Sequence, residues 1–510
     1  MLARAHTFTI EGLTPRHVTV EVDVRAGLPA FTIVGLADAA VREARERVRS
    51  AILNSGFEFP ARRITASLAP GDVPKAGAAL DLALACALLA AAGQIPREQL
   101  DGHVLFGELA LDGEVSACRG ALAVAQATRQ LDLGTLVLAA VSAREARLID
   151  ELDVAPVERL DSAVRVLAGG TPDTPPTPPP RSQALEPKRP AGPDLSEVHG
   201  QGHAVRALVI AAAGAHNCLL SGPPGTGKTM LAQRVASILP PLSRAEAIDV
   251  TRLRSIAGLA GAGLISERPW RAPHHSITTA GLLGGAQRGS IGEVALAHHG
   301  VLFLDELSEF ARPVLEALRQ PLEDGRVAIV RARHSTIYPS RFMLLAATNP
   351  CPCGYAGVGD RCQCGEAELA RHRRRLSGPL LDRIDVLARL DLGAEPELAA
   401  SGSISSEQAR ELVADARERQ AARLRGEAVS VNAQMDAATL IRRVSLDERG
   451  ERMLRAAGER GMLSARGTHR VLRVARTIAD LNGCARVRAR DVGSALALRG
   501  DPSPSSRRAA

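Results

Sequence analysis

The sequence predicts an α/β chain built from a phosphate-binding nucleotide core, with helices after it and a separate α+β domain before it. Three observations carry that prediction. Gly222-Pro223-Pro224-Gly225-Thr226-Gly227-Lys228-Thr229 follows the apolar run Cys218-Leu219-Leu220 and leads into an Ala/Leu/Val helix over Met230 to Leu239. Val301 to Leu304 is a second apolar run, ending in the paired carboxylates Asp305 and Glu306, as a central parallel strand would. Far upstream, Val18, Val20, Val22 and Val24 alternate cleanly through His17 to Arg25, the mark of a half-buried strand in a different domain.

The bulk numbers set limits. At 510 residues the chain exceeds one core, so two or three domains are expected. Apolar residues make up 45% but aromatics only 2%, so Ala, Leu and Val fill the cores, and single-strand binding by rows of stacked aromatics is disfavoured. A net charge of +7 and a pI near 9.3 lean towards a polyanionic partner. No apolar run approaches the roughly 18 residues of a membrane span, and the first residues lack the apolar stretch of a signal peptide. Of eight cysteines, four are scattered (Cys86, Cys118, Cys218, Cys484) and four crowd together, which suits a reducing cytoplasm and no membrane partner.

Residues 1–170 read as a mixed α+β domain. Strands are predicted at His17 to Arg25, Phe31 to Leu36, Arg63 to Ala69, Val104 to Leu111 and Thr135 to Ala139. Helices are predicted at Ala37 to Asn54, Ala79 to Ala92 and Gly120 to Arg129, with a hairpin turn at Asp112-Gly113 and two short helices finishing near Gly169-Gly170. Pro74-Lys75-Ala76-Gly77-Ala78-Ala79 resembles the active-site segment of Lon-type proteases, and Gly107 to Val115 resembles the hairpin leading to its partner lysine. The resemblance puts the nucleophilic serine at position 79 and the lysine at 122, where this chain has Ala79 and Leu122. A Ser–Lys dyad needs both groups, so the domain is expected to be Lon-like in shape and proteolytically inactive. Residues 171–193, rich in Thr-Pro and Pro-Pro-Pro, read as an extended linker.

The nucleotide core is expected over 194–398. Gly222, Pro223, Pro224, Gly225, Thr226 and Gly227 form a loop whose N–H groups wrap an anion at a helix start. Lys228 reaches the β- and γ-phosphates of ATP, and the Thr229 hydroxyl ligates Mg²⁺. Asp305 holds the Mg²⁺ shell and Glu306 deprotonates the attacking water, because phosphoryl transfer depends on positioning. Phe342 to Thr348 is a further buried strand, placing Asn349 to sense the γ-phosphate. Arg383, in Leu380-Leu381-Asp382-Arg383-Ile384-Asp385, reads either as an arginine finger offered to a neighbour's γ-phosphate or as half of an internal Arg–Asp pair.

Several further features keep two readings each. Arg326 to Pro339 alternates as a hairpin; Arg331 and Arg333 either contact DNA phosphates without regard to sequence or sit in solvent. Cys351, Cys353, Cys362 and Cys364, as C-x-C…C-x-C in a Cys-rich loop over 351–364, suit tetrahedral Zn²⁺ or serve as redox-active or idle thiols. Arg371 to Arg375 is either a DNA or subunit surface or a solvated face. The pairs His274-His275 and His298-His299 fit hydrogen bonding near the nucleotide better than a metal, since neighbours on a strand point to opposite faces. Residues 399–500 read as a helical lid and 501–510 as a disordered Pro/Ser tail.

The order of parts resembles the magnesium-chelatase-like branch of AAA+ ATPases, and more closely the YifB/ComM family, which joins a Lon-like domain to this motor. The matching segments are Gly222 to Thr229, Arg268 to Ser276, His298 to Glu306, Ala346 to Gly354, Ser377 to Asp385 and Arg470 to Leu481. The resemblance implies an AAA+ core with a helical lid. It also implies a hexameric, ATP-driven motor on single-stranded or branched DNA, linked to branch migration during natural transformation. A chelatase-like motor for metal insertion or protein remodelling is the other reading. The family's sensor-2 arginine falls on Arg466 in Ser464-Ala465-Arg466, with Arg470 one turn on as its rival, both near enough to the lid's start to approach the nucleotide.

Overall fold

The computed structural model describes residues 1–36, 38–75, 77–173, 193–259, 263–285, 291–331, 334–375, 378–392, 404–461 and 463–499. The chain divides into two units, Met1–Leu185 with Ala247–Ile265, and Glu186–Glu246 with Ser266–Ala510. Most of the expected linker and all of the expected tail lie outside the described residues.

In the first unit, β1 (Leu2–Glu11) and β2 (Thr14–Arg25) pair antiparallel, with Leu2 opposite Asp23 and Glu11 opposite Thr14. The valine alternation does what its period demands: Val18, Val20, Val22 and Val24 are all buried, while the residues between them are more exposed. β3 (Ala30–Val34) runs parallel to β4 (Arg63–Ala69), and β4 antiparallel to β2. β5 (His103–Phe106) lies parallel to β1, and a short ribbon of β6 (Glu108–Leu109) and β7 (Val115–Ser116) turns at Asp112-Gly113. β8 (Thr135–Ala139) and β9 (Val154–Val157) extend the sheet in parallel, giving the order β3-β4-β2-β1-β5-β8-β9.

Across this sheet lies the helix Asp81–Ala91, every residue of it buried. An all-apolar helix starting on an aspartate needs a partner for that charge. Arg47 supplies it, with Nε donating to Asp81 Oδ2 at 2.7 Å and Nη2 to Oδ1 at 3.2 Å. Leu122 is wholly buried in the helix Ala121–Gln130, and Ala79 packs on the cluster around Val124. Residues 247–259 and 263–265 pack as part of this unit, where the Gly120 N–H donates to Ser255 Oγ at 3.1 Å.

The second unit is built on a five-stranded parallel sheet. Its strands are β10 (Cys218–Ser221), β11 (Trp270–Arg271), β12 (Val301–Leu304), β15 (Met343–Thr348) and β16 (Val386–Arg389). Their order is β11-β12-β15-β10-β16, so the chain leaves β10 to one side and finally returns on its other side. Ligands bind at the carboxyl ends of strands beside such a reversal, where flanking loops diverge and leave a crevice. β13 (Arg326–Arg331) and β14 (His334–Pro339) form a separate hairpin between β12 and β15. The helices Ser406–Arg423, Ala437–Arg443, Glu448–Glu459, Ala465–Leu481 and Ala489–Ala497 follow the sheet in sequence.

Both continuous apolar runs became fully buried strands, since helices cover a parallel sheet on both faces. The lid is pinned to the sheet by polar groups. His216 Nε2 meets Thr477 Oγ1 at 2.8 Å, and His216 Nδ1 meets Asp385 Oδ2 at 3.2 Å. Buried Asp480 accepts from Arg423, Arg476 and Asn432.

Candidate active site

Three loops leave the carboxyl edge of the parallel sheet side by side. Gly222 to Gly227 follows β10, Asp305-Glu306 follows β12, and Asn349 follows β15. The first is a turn with Gly225 at φ 81° and Gly227 at φ 83°, the left-handed region that only glycine enters freely. Lys228 opens the next helix and curls back: its Nζ donates to the carbonyl oxygens of Gly222 (2.7 Å) and Pro223 (2.8 Å) and to Asn349 Oδ1 (3.0 Å). Burial pushes the Lys228 ammonium below its ordinary pKa, against the pull of Asp305 and Glu306.

Thr229 Oγ1 donates to Asp305 Oδ2 at 2.7 Å, and the other oxygen of Asp305 accepts from the Glu306 N–H at 2.9 Å. Hydroxyl and carboxylate thus present two hard oxygens to one point, the donor set that Mg²⁺ takes from a protein. Glu306 has φ 51° and ψ 51°, a left-handed conformation that costs a non-glycine residue roughly 1–2 kcal/mol. Such strain is kept where a side chain must be aimed. The Glu306 side chain is 60% exposed, with Oε2 3.8 Å from His275 Nδ1.

Arg383, Arg466 and Arg470 lie elsewhere. They line a cavity of about 530 Å³ together with Asn217, Gly300, Met343 and Asp385. Those four residues sit at the starts of strands, so the cavity opens at the amino edge, opposite the phosphate loop. Arg383 is 11% exposed and pairs with Glu323, an internal partner of the kind its alternative reading required, though a glutamate and not an aspartate. Arg470 Nε stands 3.8 Å from Asp385 Oδ1, while Arg466 is exposed at the first turn of Ala465–Leu481. The His216–Thr477 bond holds that helix at the amino edge, and the structure brings neither Arg466 nor Arg470 to Lys228 of the same chain.

Cys351, Cys353, Cys362 and Cys364 do come together, their sulfurs all within 4.8 Å of one another. Cys351 Sγ is 3.3 Å from Cys353 Sγ and 3.8 Å from Cys362 Sγ, and Cys353 Sγ is 3.7 Å from Cys362 Sγ. A tetrahedral zinc site with Zn–S bonds of about 2.3 Å separates its sulfurs by about 3.8 Å, so the set fits that ion. Burial pushes the Cys351 thiol up to about 12, while the Tyr355 N–H and other hydrogen bonds hold Cys353 down to about 6.

Arg331 ends β13 opposite His334, while Arg333 lies outside the described residues. His298 Nδ1 accepts from the Arg341 N–H at 3.0 Å, tying a histidine to the backbone ahead of β15. One contact was invisible in the sequence: His372, buried within the basic run, sits with Nε2 3.0 Å from the Asn349 carbonyl oxygen. The only signal at position 372 was a histidine among arginines.

The chain matches the family model described as magnesium chelatase, subunit ChlI, over residues 194–397. The models for subunit ChlI of Mg-chelatase and for the ChlI C-terminal region match residues 20–142 and 403–499. It is 40% identical over 493 residues to the protein YifB of Escherichia coli, covering 94% of each chain. It is 40% identical over 486 residues to the competence protein ComM of Haemophilus influenzae, again 94% of each. It is 31% identical over 228 residues to the Holliday junction branch migration complex subunit RuvB of Pseudarthrobacter chlorophenolicus, covering 42% of this chain and 46% of that one. Among the described residues no helix is long and apolar enough to cross a membrane.

Proposed function

The chain belongs to the YifB/ComM family of magnesium-chelatase-like AAA+ proteins, and from that premise we propose that it is an ATPase whose ring, a hexamer, moves branched or single-stranded DNA. The observation that carries the reading is the split of the catalytic groups between the two edges of one sheet. Lys228, Thr229, Asp305, Glu306 and Asn349 crowd the carboxyl edge, and the three arginines lie at the amino edge. One chain therefore holds both halves of a site it cannot close alone, which favours closure by a second copy offering Arg383 and Arg466 in trans.

In this reading Lys228 leaves its loop carbonyls to bind the β- and γ-phosphates, and Asn349 positions the γ-phosphate. Mg²⁺, when bound, neutralises phosphate charge, and Thr229 and Asp305 are the residues that would hold it. Glu306 takes the proton of the attacking water, and the neighbour's Arg383 stabilises the charge that develops. A cytoplasmic location, suited to free thiols such as Cys86 and Cys218, and a Lon-like first unit made proteolytically inactive by Ala79 and Leu122 belong to the same reading.

The DNA substrate rests on the relatives. One is named a competence protein and another a subunit of a branch migration complex, so this chain is proposed to act on recombination intermediates during natural transformation. The deciding experiment measures ATP hydrolysis with and without forked and four-way DNA, alongside particle mass in solution. DNA-stimulated turnover by a six-fold particle is expected. A six-fold particle indifferent to all DNA turns the reading towards a chelatase-like remodelling motor. A monomer that hydrolyses ATP as fast without the Arg383 side chain ends the ring reading.

A further inference from the structure

We propose that Cys351, Cys353, Cys362 and Cys364 close around one Zn²⁺, and that the loop so closed braces the nucleotide pocket through Pro224 and Asn349. The brace rests on the ATPase reading given above; the metal site does not.

The loop needs a staple because it has no core. Between Pro350 and Gly365 only Cys351 and Gly354 are buried. A segment of that length without apolar burial is held by a cross-link or a metal, and coordination by four thiolates supplies the missing free energy. The Ala356 N–H already donates to Cys351 Sγ at 3.2 Å, the kind of outer hydrogen bond that orients a ligating sulfur. On coordination the thiol protons pass to solvent and Zn²⁺ keeps its oxidation state, so no oxidant or reductant is involved.

The loop touches the pocket at two points. Gly354, at φ 87°, lies so close to Pro224 that a Cβ built on it falls 2.6 Å from Pro224 Cδ, leaving no room for a side chain. Asn349 is gripped on both sides: Oδ1 accepts from Lys228 Nζ, and its carbonyl oxygen lies 3.0 Å from His372 Nε2. Asn349 enters the loop and His372 follows it, so the span between them is set by how the thiols are tied. Loosening the thiols frees both the Pro224 turn and the Asn349 amide.

The test uses the full chain. Metal analysis of the purified protein is expected to give about one zinc per chain, and Co²⁺ substitution the visible absorption of a tetrahedral thiolate site. Cys362→Ser with Cys364→Ser should lose the metal and bind a fluorescent ADP analogue roughly tenfold or more weakly, since small displacements at such sites are costly. Gly354→Ala should keep its zinc yet also weaken nucleotide binding. If the double variant does not fold, wild-type protein stripped by a chelator and checked by circular dichroism serves as the metal-free form. Protein that carries no zinc and takes up none on addition overturns the metal site. Unchanged nucleotide affinity in the metal-free form and in Gly354→Ala overturns the brace. Wild-type protein that binds zinc but no nucleotide supports the metal site, and removes the brace together with the ATPase reading.

Discussion

Thr229 Oγ1 donates to Asp305 Oδ2 at 2.7 Å although β10 and β12, the strands that deliver them, are not neighbours. β15 lies between, so the bond bridges two strand spacings of about 4.8 Å each. A hydroxyl and a carboxylate held together over that gap are poised to share one hard cation. Asp305→Asn is expected to weaken ATP binding by about 1.5–3 kcal/mol, the range for hydrogen bonds to charged groups, when Mg²⁺ is present. With EDTA in place of Mg²⁺ the variant and wild type should bind alike by calorimetry. Equal weakening in both conditions would assign Asp305 to folding of the loop instead.

Glu306 spends backbone strain to stand clear of the β12 strand, with His275 at 3.8 Å as its neighbour. Glu306→Gln keeps the shape and removes the base. Turnover should fall by about 10²–10⁴ while ATP stays bound, the range for loss of a positioned proton acceptor. Steady-state hydrolysis beside a filter-binding measurement separates the two quantities, and undiminished hydrolysis would reject the assignment.

Arg383 occupies the amino edge with Glu323 beside it, away from its own phosphate loop. As a finger in trans it should be worth about 10³ or more in rate. Arg383→Ala is then expected to be inactive with normal nucleotide binding, and Lys228→Ala inactive without it. Mixed in equal amounts, the two should regain part of the activity, because some interfaces pair an intact lysine with an intact arginine. Mixtures as dead as either parent would place Arg383 in a purely internal role.

The hairpin of β13 and β14 buries Val327, Ile329 and Tyr338, and Arg331 lies near its tip, opposite His334. If Arg331 meets DNA phosphate, Arg331→Ala should reduce the slope of log affinity against log salt by about 0.7–0.9 and weaken all sequences alike. Fluorescence anisotropy over a salt series reads this directly. An unchanged slope would leave the hairpin without a DNA contact.

Much of the candidate site's geometry was legible because its sequence signals are local. Cys218 to Thr229 and Leu302 to Glu306 each carry strand, turn and candidate functional side chain within a few residues, so motif and strand prediction support one another. What escaped was written in weak or distant signals. β1 alternates through Ala3, Ala5, Thr7 and Thr9, whose small or polar side chains barely register as a buried face. β9 contains Pro156, which reads against a strand but is tolerated at the sheet edge where β9 lies. The contact of His372 with Asn349 and the posting of Arg466 and Arg470 to the amino edge depend on how helices pack over the sheet, and no spacing encodes that.

Asp81 offers a test by acidity. Its side chain is 1% exposed, and burial raises its carboxyl to about 6 although Arg47 grips both oxygens and the Leu109 N–H lies at 3.4 Å. An unfolded aspartate titrates near 4. Between about pH 4 and 6 the folded chain therefore keeps a proton that the unfolded chain has released. Linkage then makes the first unit lose stability as pH rises through that window, by about 3 kcal/mol for a shift of about two units, with no further change from this group above it. Amide exchange in the helix Asp81–Ala91, corrected for intrinsic rates, should show protection falling from pH 4 to 6 in the wild type. Asp81→Asn cannot ionise, so its protection should be level across the window. A variant that kept the wild-type fall would assign the pH dependence to another group and leave Asp81 ionised throughout, as a plain ion pair with Arg47.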